Sequence, residues 1–346
     1  MNIPGHGEFT IIGENIHTTR VVLRGGKLMG ENPDGLPSVR YTAASGETRY
    51  LPIPEEIRRA QDYEEGRVKH VKVAVLEGMR GSSEALEYLG SMVARQLRAG
   101  SDFLDLNVDE VSLRPEEQKQ AMRWLVRLVE PLASVPLSID SSNVDIIVAG
   151  LDACEGRAGR PLLNSASLER IDALELARAR NLPVIVTAAG ESGMPQNDGE
   201  RVDNASRIVE AALAKGLPKN AIYIDALVFP ISVDSQFGNH CLEAIRQLRQ
   251  RFGPEIHITG GMSNVSFGLP LRRLINDAFL ILATEAGADS GIVDPVTAHV
   301  AQVFALDRQS KAYQMAEDVL LGRDRNCRNF LRAYRKGELQ ASAGAS

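Results

Sequence analysis

Cysteine is scarce in this sequence. Three residues, Cys154, Cys241 and Cys327, are spread over 346 positions. Their spacing gives neither a disulfide framework nor a paired metal-ligand motif, and it points to a reducing, cytoplasmic home. Basic charge is not in excess either. Lys and Arg number 39 against 45 Asp and Glu, a formal net charge of −6. A nucleic-acid binder needs a basic face, so that class is disfavoured. No apolar run approaches the roughly 18 residues of a membrane span. The amino terminus "MNIPGHGEFTIIGENI" lacks the basic start and long apolar stretch of a signal peptide. A soluble protein away from membranes is expected. Also missing are a GxSxG elbow, a P-loop and an HExxH helix. No metal-ligand set is predicted.

Apolar residues are plentiful, at 44%. The length suits one large domain or two ordinary ones. Short apolar runs recur along the chain: "FTIIGENI" (9–16), "FLDLNV" (103–108), "PLSID" (136–140), "PLLNSA" (161–166), "PVIVTAAG" (183–190), "AIYIDALV" (221–228), "IHITGGMSN" (256–264) and "SGIVDPV" (290–296). Unbroken apolar runs of this length suit strands buried on both faces of a parallel sheet. Between them lie amphipathic segments of helical length. "PEEQKQAMRWLVRLVEPL" carries Ala121, Leu125 and Leu128 at helical spacing behind Pro115. "ERVDNASRIVEAALAKG" ends on Gly216, a natural helix terminator. Eight strands alternating with helices predict a (β/α)8 TIM barrel, and an open doubly wound sheet fits the same rhythm.

The expected organisation is one barrel domain over 1–346. A Gly- and Pro-rich segment of hairpin character, about 20–80, is inserted after strand one. Insertions at a strand-to-helix junction sit on the catalytic face of a barrel, so this one is read as a lid, a docking surface or a solvated excursion. A helical tail of about 308–346 ends in a frayed "LQASAGAS".

The strand ends are polar. Asp105 and Asn107 end strand two, Asp140 strand three, Asn164 strand four, Asp225 strand six, Ser263 and Asn264 strand seven, and Asp294 strand eight. One Asp or Asn after a strand is ordinarily a helix cap or turn former, and Asn143 and Ser167 fit that description. Asp105, Asn107, Asp140, Asn164 and Asp225 instead fall inside their apolar runs or on the last residue. Buried carboxylates and amides need partners, and in a barrel these ends face one mouth. A polar ligand rich in donors and acceptors is expected there. In "GGMSNVSFGLPLRR" the glycines permit close backbone approach, Asn264 offers donor and acceptor, and Arg272 and Arg273 are placed to meet an anionic group. A carboxylate takes two parallel hydrogen bonds from an amidine-like edge, and a carboxamide matches a lactam edge. A pterin has both edges; a purine or a sugar also satisfies this chemistry. His257 reads as a core histidine, and His17, after "GEN", as a more open one.

Taken together and in this order, "IIGENI", "FLDLNV", "PLSIDSSN", "LLNSAS", "AIYIDALVFPISV", "GGMSNVSFGLPLRRLINDAFL" and "ADSGIVDP" resemble the pterin-binding methyltransferases. The nearest likeness is to the methyltetrahydrofolate:corrinoid protein methyltransferases. The folate module of cobalamin-dependent methionine synthase and dihydropteroate synthase are similar at greater distance. The resemblance covers 9–16 and about 100–300. It implies a barrel, a homodimer, a folate substrate (tetrahydrofolate or its methyl derivative) and a corrinoid brought by a partner protein. It assigns the pterin to Asp105, Asn107, Asp140, Asn164, Asp225, Gly261 and Ser263, with Arg272 following the motif. Asn264 falls to the methyl-bearing nitrogen, so Asn264 and Asp225 become the catalytic candidates. Three features depart from the family. The opening Gly-Glu-Arg-[Ile/Thr]-Asn is here Gly13, Glu14, Asn15, Ile16 and His17; "YIDP" is "YIDA" with Ala226; "LDLNVG" is "LDLNVD" with Asp109. The activity implied is methyl transfer, in either direction, between tetrahydrofolate and the cobalt of a corrinoid protein. The alternatives are a dihydropteroate synthase-like condensing enzyme and a non-catalytic folate or corrinoid module. The first of these alternatives is disfavoured because "IVDPVTAHV" lacks an Arg-x-His end motif.

Overall fold

The structure, a computed structural model, describes residues 1–3, 5–43 and 45–339. Eight strands share one sheet: β1 (Thr10–His17), β2 (Phe103–Asn107), β3 (Leu137–Asp140), β4 (Leu162–Ala166), β5 (Val184–Thr187), β6 (Ile222–Asp225), β7 (His257–Thr259) and β8 (Ser290–Val293). Their order is β7-β6-β5-β4-β3-β2-β1-β8. The last strand also returns to β7. Asp289 N–H donates to the Ile258 carbonyl at 3.2 Å and Ile292 N–H to that of Gly260 at 2.9 Å, and Gly261 bridges Ile292 in parallel. The sheet is therefore a (β/α)8 barrel, and the open doubly wound alternative is set aside.

Seven of the eight strands lie within the runs that the sequence marked, several stopping short of the run's end, and β1 extends one residue past its run, to His17. The segment 256–264 is a strand only through Thr259, and Met262–Ser266 is a 3-10 turn. The two glycines between them leave the chain free to leave the sheet.

Alternation explains how the polar ends survive. Leu104, Leu106, Ile139 and Leu163 are fully buried, and their neighbours point to the opposite face. The register then lines up the polar set. Asn107 pairs with Asp140, and Asp140 with Asn164. Paired residues of adjacent strands share a face, so these three form one polar row at the carboxyl ends of β2, β3 and β4. Thr187, Asp225 and Thr259 form a second row across β5, β6 and β7.

Helices follow the strands: α1 (Ser83–Arg98), α2 (Pro115–Val129), α3 (Val144–Ala153), α4 (Ala173–Ala179), α5 (Asp198–Ala214), α6 (Phe237–Phe252) and α7 (Arg272–Ala286). Pro115 takes the first turn of α2, as predicted. The buried stripe of α2 is Ala121, Met122, Leu125, Val126 and Val129, with Leu128 only half-buried, so it lies slightly off the predicted face. Asn143 caps α3, accepting from Asp145 N–H at 2.9 Å. Ser167 instead holds a turn through Arg170 N–H at 3.2 Å. Gly216, at φ +85°, closes α5. Two further helices, α8 (Lys311–Leu320) and α9 (Arg328–Arg335), form the tail. From residue 340 the expected frayed end lies outside the described residues. None of the described helices is long and apolar enough to cross a membrane.

Two compact units make up the chain: residues 13–164, and residues 1–12 with those from 165 onward. The first contains the insertion. Strands Met29–Glu31, Pro37–Thr42 and Thr48–Pro52 form an antiparallel meander, and Val22–Leu23 pairs with Arg67–Val68. Hairpin character ends there; Glu55–Arg58, Gln61–Glu64 and His70–Met79 are helical. The insertion is no solvated excursion. Val39, Leu51 and Ile53 are buried. Tyr41 packs edge-on against Tyr88 of α1 and donates to Glu87 Oε2 at 3.1 Å.

Candidate active site

The polar row of the first unit is tied together by amides. Asp105 is fully buried, and Asn107 and Asn164 are 7% exposed. Asn107 Nδ2 donates to Asp140 Oδ2 at 2.8 Å. Asn164 Nδ2 donates to Asp105 Oδ1 at 3.3 Å. Asp105 Oδ2 also meets His17 Nε2 at 2.7 Å. Each carboxylate thus has its own amide, which sets its orientation before any ligand arrives. Oδ1 of Asp140 and Oδ1 of Asn164 have no hydrogen-bond partner among the described residues. They are the acceptors this row can offer to an incoming molecule.

Charge in the row is crowded. Burial, with the Asp105 carboxylate close by, pushes the Asp140 carboxyl up to about 7, against the opposing pull of His17 and the Asn107 amide. Asp109, the residue that departs from "LDLNVG", turns away from this row. It accepts from Ser141 Oγ and from Ser142 N–H at 2.9 Å, which ties the loop after β2 to the loop after β3.

In the second unit, Asp225 Oδ1 accepts Leu227 N–H at 2.8 Å. Leu227 sits at φ +61°, a costly backbone for a leucine. Arg201 supports this bend. Its Nε donates to the Leu227 carbonyl at 3.3 Å, and its guanidinium lies 4.8 Å from the Phe229 ring centroid. The sequence reading missed Arg201, because "GERVDN" looked like a charged helix start. The helix start is real, with Asn197 as cap, but the arginine side chain is 0% exposed. An arginine at the fourth position of a helix carries no sequence signal for such burial.

Asn264 lies beside a glycine for a steric reason. A Cβ on Gly261 would come within 2.7 Å of Asn264 Nδ2, so the carboxamide rests against bare backbone. It is half-buried and makes no hydrogen bond among the described residues. Arg272 is held against its own loop. Its Nη2 donates to the Ser263 carbonyl at 2.9 Å, its Nε to Ser266 Oγ at 3.0 Å, and it stacks 4.3 Å from the Phe267 centroid. It pins the loop that carries Asn264. Arg273 lies 3.5 Å from Asp277, and Asp294 caps the following turn through Val296 and Thr297 N–H. His257 bonds Asp289 at 3.0 Å and stacks on Tyr223, as a structural histidine would.

The comparisons with known proteins decide the family. The model of the pterin binding enzymes matches residues 79–294, more than half of the chain. The chain belongs to the pterin-binding enzyme family. This pterin-binding enzyme is 30% identical over 249 residues to the methylcorrinoid:tetrahydrofolate methyltransferase of Eubacterium limosum, a match covering 70% of this chain and 86% of that protein. It is also 30% identical over 246 residues to methionine synthase of Mycobacterium leprae, where the match covers 66% of this chain and 19% of the relative. Among solved structures, dihydropteroate synthase from Stenotrophomonas maltophilia aligns with a TM-score of 0.52 at 20% identity, over 64% of this chain and 87% of that one. At that identity the likeness is one of fold.

The buried carboxyl of the second unit has a thermodynamic signature. Burial pushes Asp225 up to about 6, outweighing the Leu227 N–H bond and the Arg201 charge. The folded state therefore holds this proton more tightly than the unfolded chain does. Stability from this group is complete below about pH 4 and is lost as pH rises through about 6. Asp225→Asn keeps the acceptor for Leu227 and removes the titration. Denaturant melts should show the variant about 1–3 kcal/mol more stable than wild type above pH 7. The advantage should vanish near pH 4; a pH-independent difference would reject this account.

Proposed function

We propose that this enzyme moves a methyl group between a tetrahydrofolate nitrogen and the cobalt of a corrinoid carried by a partner protein. The observation that carries the reading is the row Asn107–Asp140–Asn164, with Asp105 beneath it. Alternating carboxylate and carboxamide groups, held by one another and retaining free acceptor atoms, suit the amidine and lactam edges of a pterin. The match to the Eubacterium limosum methyltransferase across most of both chains supports the same reading.

Roles follow residue by residue from the resemblance. Asp105, Asn107, Asp140, Asn164, Asp225, Gly261 and Ser263 bind the pterin. Asn264 serves the methyl-bearing nitrogen. A tertiary amine leaves poorly unless that nitrogen gains positive charge, and a carboxamide can bond it with or without its proton. The unpartnered amide against Gly261 is suited to this task. Arg272 positions Asn264 through the loop backbone. Asp225 acts as a pterin ligand whose carboxylate is oriented by the Leu227 bend.

The test is spectroscopic. Methylcobalamin mixed with tetrahydrofolate and enzyme should lose its methylcobalt absorbance, with methyltetrahydrofolate formed in equal amount. Folate binding without any methyl loss, including with cobalamin supplied in excess, would leave a binding module and reject the enzyme reading.

A further inference from the structure

His17 stands where the resembling family carries an asparagine, and it does not belong to the pterin set named above. Its geometry is that of an acid–base dyad. Nε2 is bonded to Asp105 Oδ2 at 2.7 Å, and Asp105 is fully buried behind it. Asp105 is fixed from its other side by Asn164 Nδ2. The second ring nitrogen, Nδ1, has no hydrogen-bond partner among the described residues, and the side chain is 14% exposed. The imidazole is thus partly open to a molecule entering the polar row, whereas the Asp105 carboxylate that backs it has no exposed surface.

The charged groups facing this ring come from three strands. Glu14, on β1 itself, lies 3.6 Å from Arg20. Asp105 projects from β2 and Asp140 from β3. Burial disfavours the imidazolium, but the bond to Asp105 and the charges of Asp105, Asp140 and Glu14 outweigh it, so the ring holds its proton above the ordinary histidine range.

Resting on the folate reading, we propose that His17, backed by Asp105, exchanges the proton of the folate nitrogen that gives up or receives the methyl group. In the direction of methylcobalt, the nitrogen lone pair takes the proton from Nδ1. The C–N bond then breaks, and its electron pair remains on nitrogen. The methyl carbon bonds to cobalt through the electron pair of Co(I), which becomes Co(III). In the opposite direction the nitrogen pair forms the C–N bond, the C–Co pair stays on cobalt as Co(I), and the surplus N–H proton passes to neutral His17. Solvent restores the ring in each case. Positioned proton transfer of this kind is worth about 10²–10⁴ in rate.

The experiment is single-turnover transfer from methyltetrahydrofolate to free cob(I)alamin across pH 5.5–9, for wild type, His17→Asn and His17→Gln. Both variants keep a side-chain amide able to donate to Asp105. The wild-type rate is expected to fall as pH rises through the histidine pKa. In both variants that falling limb should disappear and the low-pH rate drop about 100-fold. Methyltetrahydrofolate affinity, by titration calorimetry, should change little. A falling limb retained in the variants, or an affinity loss as large as the rate loss, overturns the proton role. So does a wild-type limb that moves when a chelator is added, since the neighbouring donor atoms would then be serving a cation. Wild type that binds no folate overturns the folate reading and this role together. Binding and turnover with variants indistinguishable from wild type overturn this role alone.

Discussion

Alanine at position 264 should slow methyl transfer by about 100–1,000-fold while leaving the folate dissociation constant nearly unchanged. The carboxamide it removes has no intramolecular work to do: it makes no hydrogen bond among the described residues. Its loss therefore leaves no orphaned partner inside the protein, and the fold should be indifferent to it. What disappears is a dipole held against Gly261 by a backbone contact that permits no Cβ. Such a group matters most where charge develops during reaction, so the loss falls on the rate constant rather than on ground-state binding. Single-turnover rates and calorimetry on the same preparation would separate the two. Equal losses in rate and affinity would make Asn264 an ordinary binding contact.

Asn164→Ala should behave in the opposite way. This amide has two tasks: Nδ2 holds the buried Asp105, and Oδ1 remains available to a ligand. Truncation withdraws the ligand contact and leaves a buried carboxylate with one donor fewer. Tetrahydrofolate and methyltetrahydrofolate should each bind about 10–100-fold more weakly, and the protein should lose roughly 1–3 kcal/mol of stability. Calorimetric titration and urea melts read the two effects independently. If Asn164→Ala and Asn264→Ala both bind and turn over like wild type, the assignment of this site to folate fails.

Much of this site could be read from the order of residues because strand geometry is strict. A parallel strand buried on both faces reads as an apolar run, and a polar residue inside that run or on its last position stands out as one that needs a polar partner. Asp140, Asn164 and Asp225 were identifiable for that reason, and the register aligns the first two with Asn107. The partners they choose were not identifiable. That His17 reaches Asp105, that Asp109 turns to Ser141 rather than to the row, and that Arg201 buries itself against Phe229 all depend on loop paths and rotamers. Arg272 shows the same limit. The sequence placed it correctly at the head of α7, but that it bonds the Ser263 carbonyl and Ser266 Oγ of the preceding loop was not legible. The insertion was legible as a hairpin because turn residues bound its strands. Its attachment to α1 through Tyr41 lies in side-chain packing that no local pattern records.

The way β8 meets both β1 and β7 has a consequence for synthesis. Thr10 N–H bonds the Asp289 carbonyl at 2.9 Å, so the margin of β1 that does not pair with β2 stays open until residue 289, about 280 positions later, has emerged. At translation rates of about 5–20 residues per second, that wait lasts tens of seconds. Throughout it the nascent chain carries unpaired strand margins that invite association with other chains. Truncation anywhere before β8 would make that condition permanent.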